Sequence, residues 1–194
     1  KGAYFAKQMS YLRANGRITL KCRYNPALPV ITAWDLGMSD AMSIVFAQIV
    51  GREVHIIDYL EHSGEGLEYY AGELRKKGYV YGAHYGPHDL AVRELGTGKS
   101  RLEVAAGFGI NFEVVPRIAN HAEGIEASRR FLAMCWFTEI TREETDAEGK
   151  DADGKLVEKV IGVDRLVDCL DGYRKEWDDK MGVYRSTPRH DWAS

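Results

Sequence analysis

Val30-Ile31-Thr32-Ala33-Trp34-Asp35-Leu36-Gly37 is the stretch whose reading decides the fold. Its first five residues are apolar, β-branched or aromatic, with Pro29 just before them, the pattern of a short buried strand. The strand ends on a carboxylate, Asp35, and the chain turns through Leu36-Gly37-Met38-Ser39-Asp40 into a second apolar run, 43–50. Gly51-Arg52 makes a tight link to a third run, 53–60, so the three predict a β-meander with Asp35 leaving its innermost strand. An Asp there has two readings. It shapes the turn by bonding nearby backbone, or it is half of a site. Asp40, inside the turn, reads as a turn residue.

Working outward, residues 2–15 fit an amphipathic helix carrying Tyr4, Phe5, Met9 and Leu12 and ended by Gly16. Residues 18–24 fit a short strand, and Asn25-Pro26-Ala27-Leu28-Pro29 a rigid connector. Beyond the meander, 64–77 predicts a helix with Leu67, Tyr70, Ala71 and Leu74 on one face. Its glutamates come early and Arg75-Lys76-Lys77 late, as the macrodipole favours, and Gly78 stands where a terminating glycine belongs. A strand over 79–85 then runs into a second acid-bearing turn, Gly86-Pro87-His88-Asp89. Ser100 caps a short helix to 106, a strand follows at 111–115, and 121–136 predicts a helix with Ile125, Phe131, Leu132 and Cys135 inward. Residues 138–161 turn acidic and glycine-rich, a solvated hairpin tip with strands at 137–142 and 155–161; the glycines do not fit a calcium loop. A helix over 164–178 and a loop over 182–194 complete the chain.

This order predicts an α/β, ribonuclease H-like fold. It has a central mixed five-stranded sheet, a three-strand meander plus parallel strands, flanked by helices, with an extra acidic hairpin near 138–161. In such a sheet the first and fourth strands lie side by side and parallel, which brings Asp35 and Asp89 together. Two adjacent carboxylates raise each other's pKa unless a cation shares them. Mg²⁺ or Mn²⁺, hard and oxygen-seeking, suits that role. Two such ions ~3.5–4 Å apart activate water and stabilise the leaving oxygen of a phosphodiester. His88 would point away from Asp89 on an extended backbone and reads as a supporting or DNA-contacting residue.

At 194 residues the chain is long enough for one domain with a substantial core, and no apolar run approaches the ~20 residues of a membrane span. Cys22, Cys135 and Cys169 are odd in number and lack metal-ligand spacing, which argues against a disulfide framework or zinc and suits a reducing compartment. A net charge of −3 gives no global footprint for nucleic acid, yet Arg93, Lys99 and Arg101, Arg129 and Arg130, and Arg185 and Arg189 gather locally. Each group reads as a solvated face or a DNA contact. The first residues, Lys1-Gly2-Ala3-Tyr4, and the last, His190-Asp191-Trp192-Ala193-Ser194, read as mid-protein sequence, so a fragment of a longer protein is expected.

Several stretches together resemble the C-terminal nuclease domain of the large terminase subunit of tailed, double-stranded DNA bacteriophages. They are Gly2-Ala3-Tyr4 with Ala6-Lys7-Gln8, Thr32 to Gly37 with Asp40-Ala41, and Tyr85-Gly86-Pro87-His88-Asp89. Cys135-Trp136-Phe137, Leu170 to Tyr173 with Trp177-Asp178, and Pro188 to Ser194 follow in the family's order. The resemblance implies a metal-dependent endonuclease that cuts concatemeric viral DNA in the host cytoplasm, using two Mg²⁺ or Mn²⁺ ions. Asp35 and Asp89 match the family's first two metal-binding acids; the third is either Asp191 or a residue beyond Ser194. His88, Arg93, Lys99, Arg101, Arg185 and Arg189 are the candidate DNA contacts. It also implies an ATPase motor before Lys1, a helix and connector over 1–29, a truncated nuclease domain over 30–194, and portal and small-subunit partners. Residues 143–161 depart from the family pattern as an insertion.

Three rivals carry weight. Another ribonuclease H-like nuclease, resolvase- or transposase-like, would use the same cations on a different substrate. Asp-Leu-Gly before a β-turn also marks the phosphate loop of actin-like ATPases, which need a second such domain that this chain lacks. A non-catalytic module docking DNA or the portal is the third. A Ser-His-Asp hydrolase has no nucleophile elbow to support it.

Overall fold

The structure, a computed structural model, describes residues 2–37, 42–93, 98–118, 120–138 and 162–188. Among them, strands β1 (Ile18–Thr19), β2 (Val30–Asp35), β3 (Met42–Val50), β4 (Glu53–His62), β5 (Tyr81–Gly86), β6 (Phe112–Val114) and β7 (Cys135–Thr138) form one sheet, ordered β1-β7-β4-β3-β2-β5-β6. The five expected strands stand at its centre as β4-β3-β2-β5-β6, the ribonuclease H-like order, and β7 and β1 extend it past β4. Only β3 runs against its neighbours; β2–β5, β5–β6, β4–β7 and β1–β7 are parallel.

Helices cover both faces. On one, α1 (Ala6–Ala14), α4 (His121–Leu132) and α5 (Val163–Gly172) pack with Ala47, Val54, Ile56 and Phe137 around the fully buried Met9 and Leu12. On the other, α2 (Leu67–Lys77) and α3 (Arg101–Gly107) cover Val30, Trp34, Ile44 and Phe46 through Tyr70, Leu74 and Ala105. The boundaries follow local chemistry. α2 stops where Gly78 takes a left-handed conformation, φ 66°, and donates its N–H to the Arg75 carbonyl. α3 opens with a reciprocal capping box between Ser100 and Glu103. Among the described residues, no helix is long and apolar enough to cross a membrane. Cys22 and Cys135 are buried, with thiols pushed up to about 12 by burial, and Cys169 is half-buried.

Four elements differ from the sequence expectation. The helix expected over 121–136 ends at Leu132, because Cys135, Trp136 and Phe137 pair with Val54, His55 and Ile56 of β4. A short apolar run reads alike as helix end or buried strand, and the neighbouring strand decides. The helix expected over 164–178 ends at Gly172. Tyr173 then packs on Tyr4 and Phe5, and β8 (Lys175–Asp178) pairs with β9 (Val183–Pro188), in what was expected to be a loop. The strand expected over 18–24 is only Ile18–Thr19. The hairpin expected at 138–161, apart from Thr138, lies outside the described residues.

Candidate metal centre

β2 and β5 are where the chain order reverses across the sheet: β3 and β4 lie to one side of β2, and β5 and β6 to the other. The crevice outside the C-terminal ends of strands at such a switch point is where open α/β sheets bind ligands. Asp35, the last residue of β2, stands there.

Its backbone is held from beneath. Val30, Thr32 and Trp34 alternate into the core, and the Trp34 ring meets Phe112 edge-on with centroids 5.1 Å apart. The Trp34 Nε1–H donates to Thr32 Oγ1 at 2.8 Å, and Thr32 Oγ1 lies 2.7 Å from His84 Nδ1 on β5. Indole only donates, so the Thr32 proton is left for Nδ1, which suits a neutral ring with its proton on Nε2. Burial lowers the His84 pKa and favours that neutral form. The three side chains tie β2 to β5 just below the acid.

β5 delivers the second acid. It ends at Gly86, passes Pro87 in extended conformation, and enters a one-turn 3-10 helix, His88–Ala91. Leu90, fully buried, anchors that turn, and Asp89 precedes it. Gly86 permits the packing: a Cβ there would lie 2.2 Å from Leu90 Cδ1 and 3.0 Å from Phe112 Cδ1.

The Asp35 carboxyl is pushed above the usual carboxylate range, first by burial and then by the charge of Asp89; a hydrogen bond from the Leu36 N–H opposes both. Asp89 Oδ1 is buried with no hydrogen-bond partner among the described residues. A buried acceptor left unpaired costs about 1–3 kcal/mol. Two facing carboxylates, one with a stranded oxygen, fit a hard divalent cation, which would satisfy the oxygen and cancel the repulsion. Among the described residues, no three His, Cys, Asp or Glu side chains gather as a metal cluster.

The remaining candidates divide. Asp191 and Arg189 lie outside the described residues, as does Asp40. His88 is exposed beside Asp89. Arg93 leaves the same turn, bridges to Ser100, and faces Glu103 at 3.9 Å, with Lys99 and Arg101 close in the chain. Arg185 sits on the β8–β9 hairpin and is bound by Glu176 at 3.2 Å and Asp178 at 3.1 Å. Sequence reasoning missed Thr32, His84 and the Gly86–Leu90 contact. Gly86 immediately before Pro87 was the available signal; the Thr32–His84 pairing had none, since 52 residues separate the partners.

The fold and its paired acids thus define a ribonuclease H-like domain with a candidate cation site at the switch point. No family model matches the chain, and no curated protein matches it. Solved structures do. The large terminase nuclease of thermophilic phage G20c aligns over 100% of this chain and 93% of its own, at 10% identity and a TM-score of 0.55. The same nuclease with bound magnesium aligns over 99% and 92%, at 12% identity and a TM-score of 0.55. The large terminase of a second thermophilic bacteriophage, in complex with ADP, aligns over 87% of this chain at 12% identity and a TM-score of 0.55. This chain spans 37% of that terminase's length. The resemblance read from the sequence therefore holds at the level of the fold.

Proposed function

We propose that this chain is the nuclease domain of a tailed-phage large terminase, an endonuclease that hydrolyses phosphodiester bonds of concatemeric double-stranded DNA. The observation that carries it is the pairing of Asp35 with Asp89 at neighbouring parallel strand ends, with Asp89 Oδ1 buried and unpartnered among the described residues. The likeness to the large terminase nuclease of phage G20c, crystallised both with bound magnesium and with bound cobalt, supports a nuclease that uses a divalent cation. Asp35 and Asp89, with Asp191 as the third ligand, would hold two Mg²⁺ or Mn²⁺ ions. Those ions supply Lewis-acid polarisation of the phosphate and an acidified water.

The chain's own residues hold the acids rigidly, Asp35 through the Trp34–Thr32–His84 tie and Asp89 through Leu90. No nucleophilic side chain is required. His88, Arg93, Lys99 and Arg101 follow from the Asp89 turn and are assigned to the DNA backbone, with Arg185 and Arg189 on the C-terminal side. In the full-length protein an ATPase motor precedes the nuclease domain, whose core and sheet include α1 and β1, and the portal and small terminase subunit are partners in the host cytoplasm.

The purified chain should nick plasmid DNA in Mn²⁺ or Mg²⁺ and not in EDTA. Asp35→Asn and Asp89→Asn should each lower the rate by at least ~10²-fold, the scale on which removing a preorganised charge acts. Undiminished cleavage by both variants would falsify the assignment.

A further inference from the structure

A second feature stands at the same end of the sheet, and its meaning rests on the nuclease reading. Asp35 lies directly opposite Ser43 on β3, and Ser43 lies directly opposite Glu61 on β4. Residues paired across antiparallel strands project to the same face, so the three form one row. Two strand spacings put the Glu61 backbone about 10 Å from that of Asp35.

Helix α5 covers this face, and its first turn carries Arg165. The Arg165 Nη2 donates to Glu61 Oε1 at 3.1 Å, and the Tyr59 hydroxyl donates to Glu61 Oε2 at 2.8 Å. Each Glu61 oxygen thus accepts one hydrogen bond. Its side chain is 14% exposed and that of Arg165 30%, so the acid is inside and the cation at the rim.

DNA laid across Asp35 and Asp89 brings further phosphates beside two carboxylates, and those phosphates need a cation. At a rise of about 3.4 Å per phosphate along one strand, 10 Å reaches no more than about three phosphates from the cut bond. A guanidinium can hold a carboxylate and a phosphate together, because its five N–H donors fan out in one plane. We propose that Arg165 binds a DNA phosphate flanking the bond to be cut, and that Glu61 and Tyr59 are positioning residues that aim its guanidinium along the Asp35 row. The acid pair is then flanked by cations on both sides, with Arg165 on the β4 side and Arg93, Lys99 and Arg101 on the β5 side.

An ion pair that merely pins α5 to β4 would make different demands. Binding of a 30-base-pair duplex, measured by fluorescence anisotropy in EDTA across a salt series, separates the two roles. Arg165→Ala and Arg165→Gln should each weaken binding about tenfold or more. Each should also reduce the slope of log K against log salt by about 0.9, one phosphate contact. Arg165→Lys should keep the slope, and so should Glu61→Gln, which retains the cation. Thermal melts run alongside show which variants fold; Arg165→Gln preserves a hydrogen bond to Glu61 should the alanine variant not fold.

An unchanged slope in folded Arg165→Gln overturns the assignment, as does an equal loss of slope in Glu61→Gln. Wild-type plasmid cleavage in Mn²⁺, run in parallel, separates the two claims. A chain that cleaves but shows no slope change in the Arg165 variants sinks only the phosphate contact. A chain that shows the slope change but never cleaves sinks only the nuclease reading.

Discussion

Gly86→Ala changes the smallest group in the candidate site and should disturb both folding and chemistry. The added Cβ would lie 2.2 Å from Leu90 Cδ1 and 3.0 Å from Phe112 Cδ1. Relaxed carbon contacts are about 3.5–4 Å, so Leu90 must retreat by more than about an ångström. Leu90 is fully buried and Phe112 packs against the same cluster, so the displacement has nowhere to dissipate. Overpacking of this kind costs about 1–3 kcal/mol, and the entropy gained by replacing glycine returns about 0.4–1 kcal/mol.

The net loss of up to ~2.6 kcal/mol corresponds to as much as roughly 10 °C in Tm for a chain of this length. Leu90 sits next to Asp89 in one 3-10 turn, so its retreat also moves the acid. Misplacement on the ångström scale can lower a rate about 10²-fold. Calorimetry and Mn²⁺-dependent plasmid nicking measure the two effects separately. Gly82→Ala, four residues earlier in the same strand, is the control: its Cβ meets Pro29 Cβ at 3.2 Å and is expected to stay within about ±0.5 kcal/mol. A Gly86→Ala protein with wild-type Tm and wild-type rate would refute the packing argument.

Three further outcomes are expected. Asp35 has its folded pKa raised, so its contribution to stability is full at low pH and is lost as pH rises from the unfolded value through the folded one. Asp35→Asn should therefore raise the neutral-pH Tm in EDTA, and Mg²⁺ should stabilise the wild type, by about 1.4 kcal/mol at ten times Kd, but not the variant; an equal Mg²⁺ response in both would refute cation binding at Asp35. Thr32→Val strands the Trp34 Nε1–H and the His84 Nδ1 in the core, at about 1–3 kcal/mol each, readable in urea unfolding. His84 has its folded pKa lowered, so the unfolded chain takes up the proton first and stability should fall as pH drops below about 6.5; the drop should be shallower in His84→Gln.

Much of the fold was legible in local pattern. The strands of the meander, the turn at Asp89, Gly78 as terminator and the Ser100 cap depend on residues near in sequence, whose propensities act wherever the chain folds. The two stretches misread as helix, the apolar 133–136 and the mostly charged 173–178, had their state set by remote partners: β4 for one, β9 for the other. A strand takes its hydrogen bonds from a neighbour, and no local window contains that neighbour.

The same division runs through the candidate site. The sequence alone marked out the two candidate acids, because Asp35 and Asp89 each belong to a strand-and-turn unit of a few residues. The tertiary structure decided what they do to each other: β2 beside β5 makes Asp89 a cause of the raised Asp35 pKa, and leaves Asp89 Oδ1 buried without a donor among the described residues. It also decided what holds and flanks them, in Thr32 on His84 and Arg165 on Glu61. The partners in those two contacts are 52 and 104 residues apart. Register between strands and the docking of a helix are collective outcomes of packing the whole core, so only the folded chain brings such pairs together.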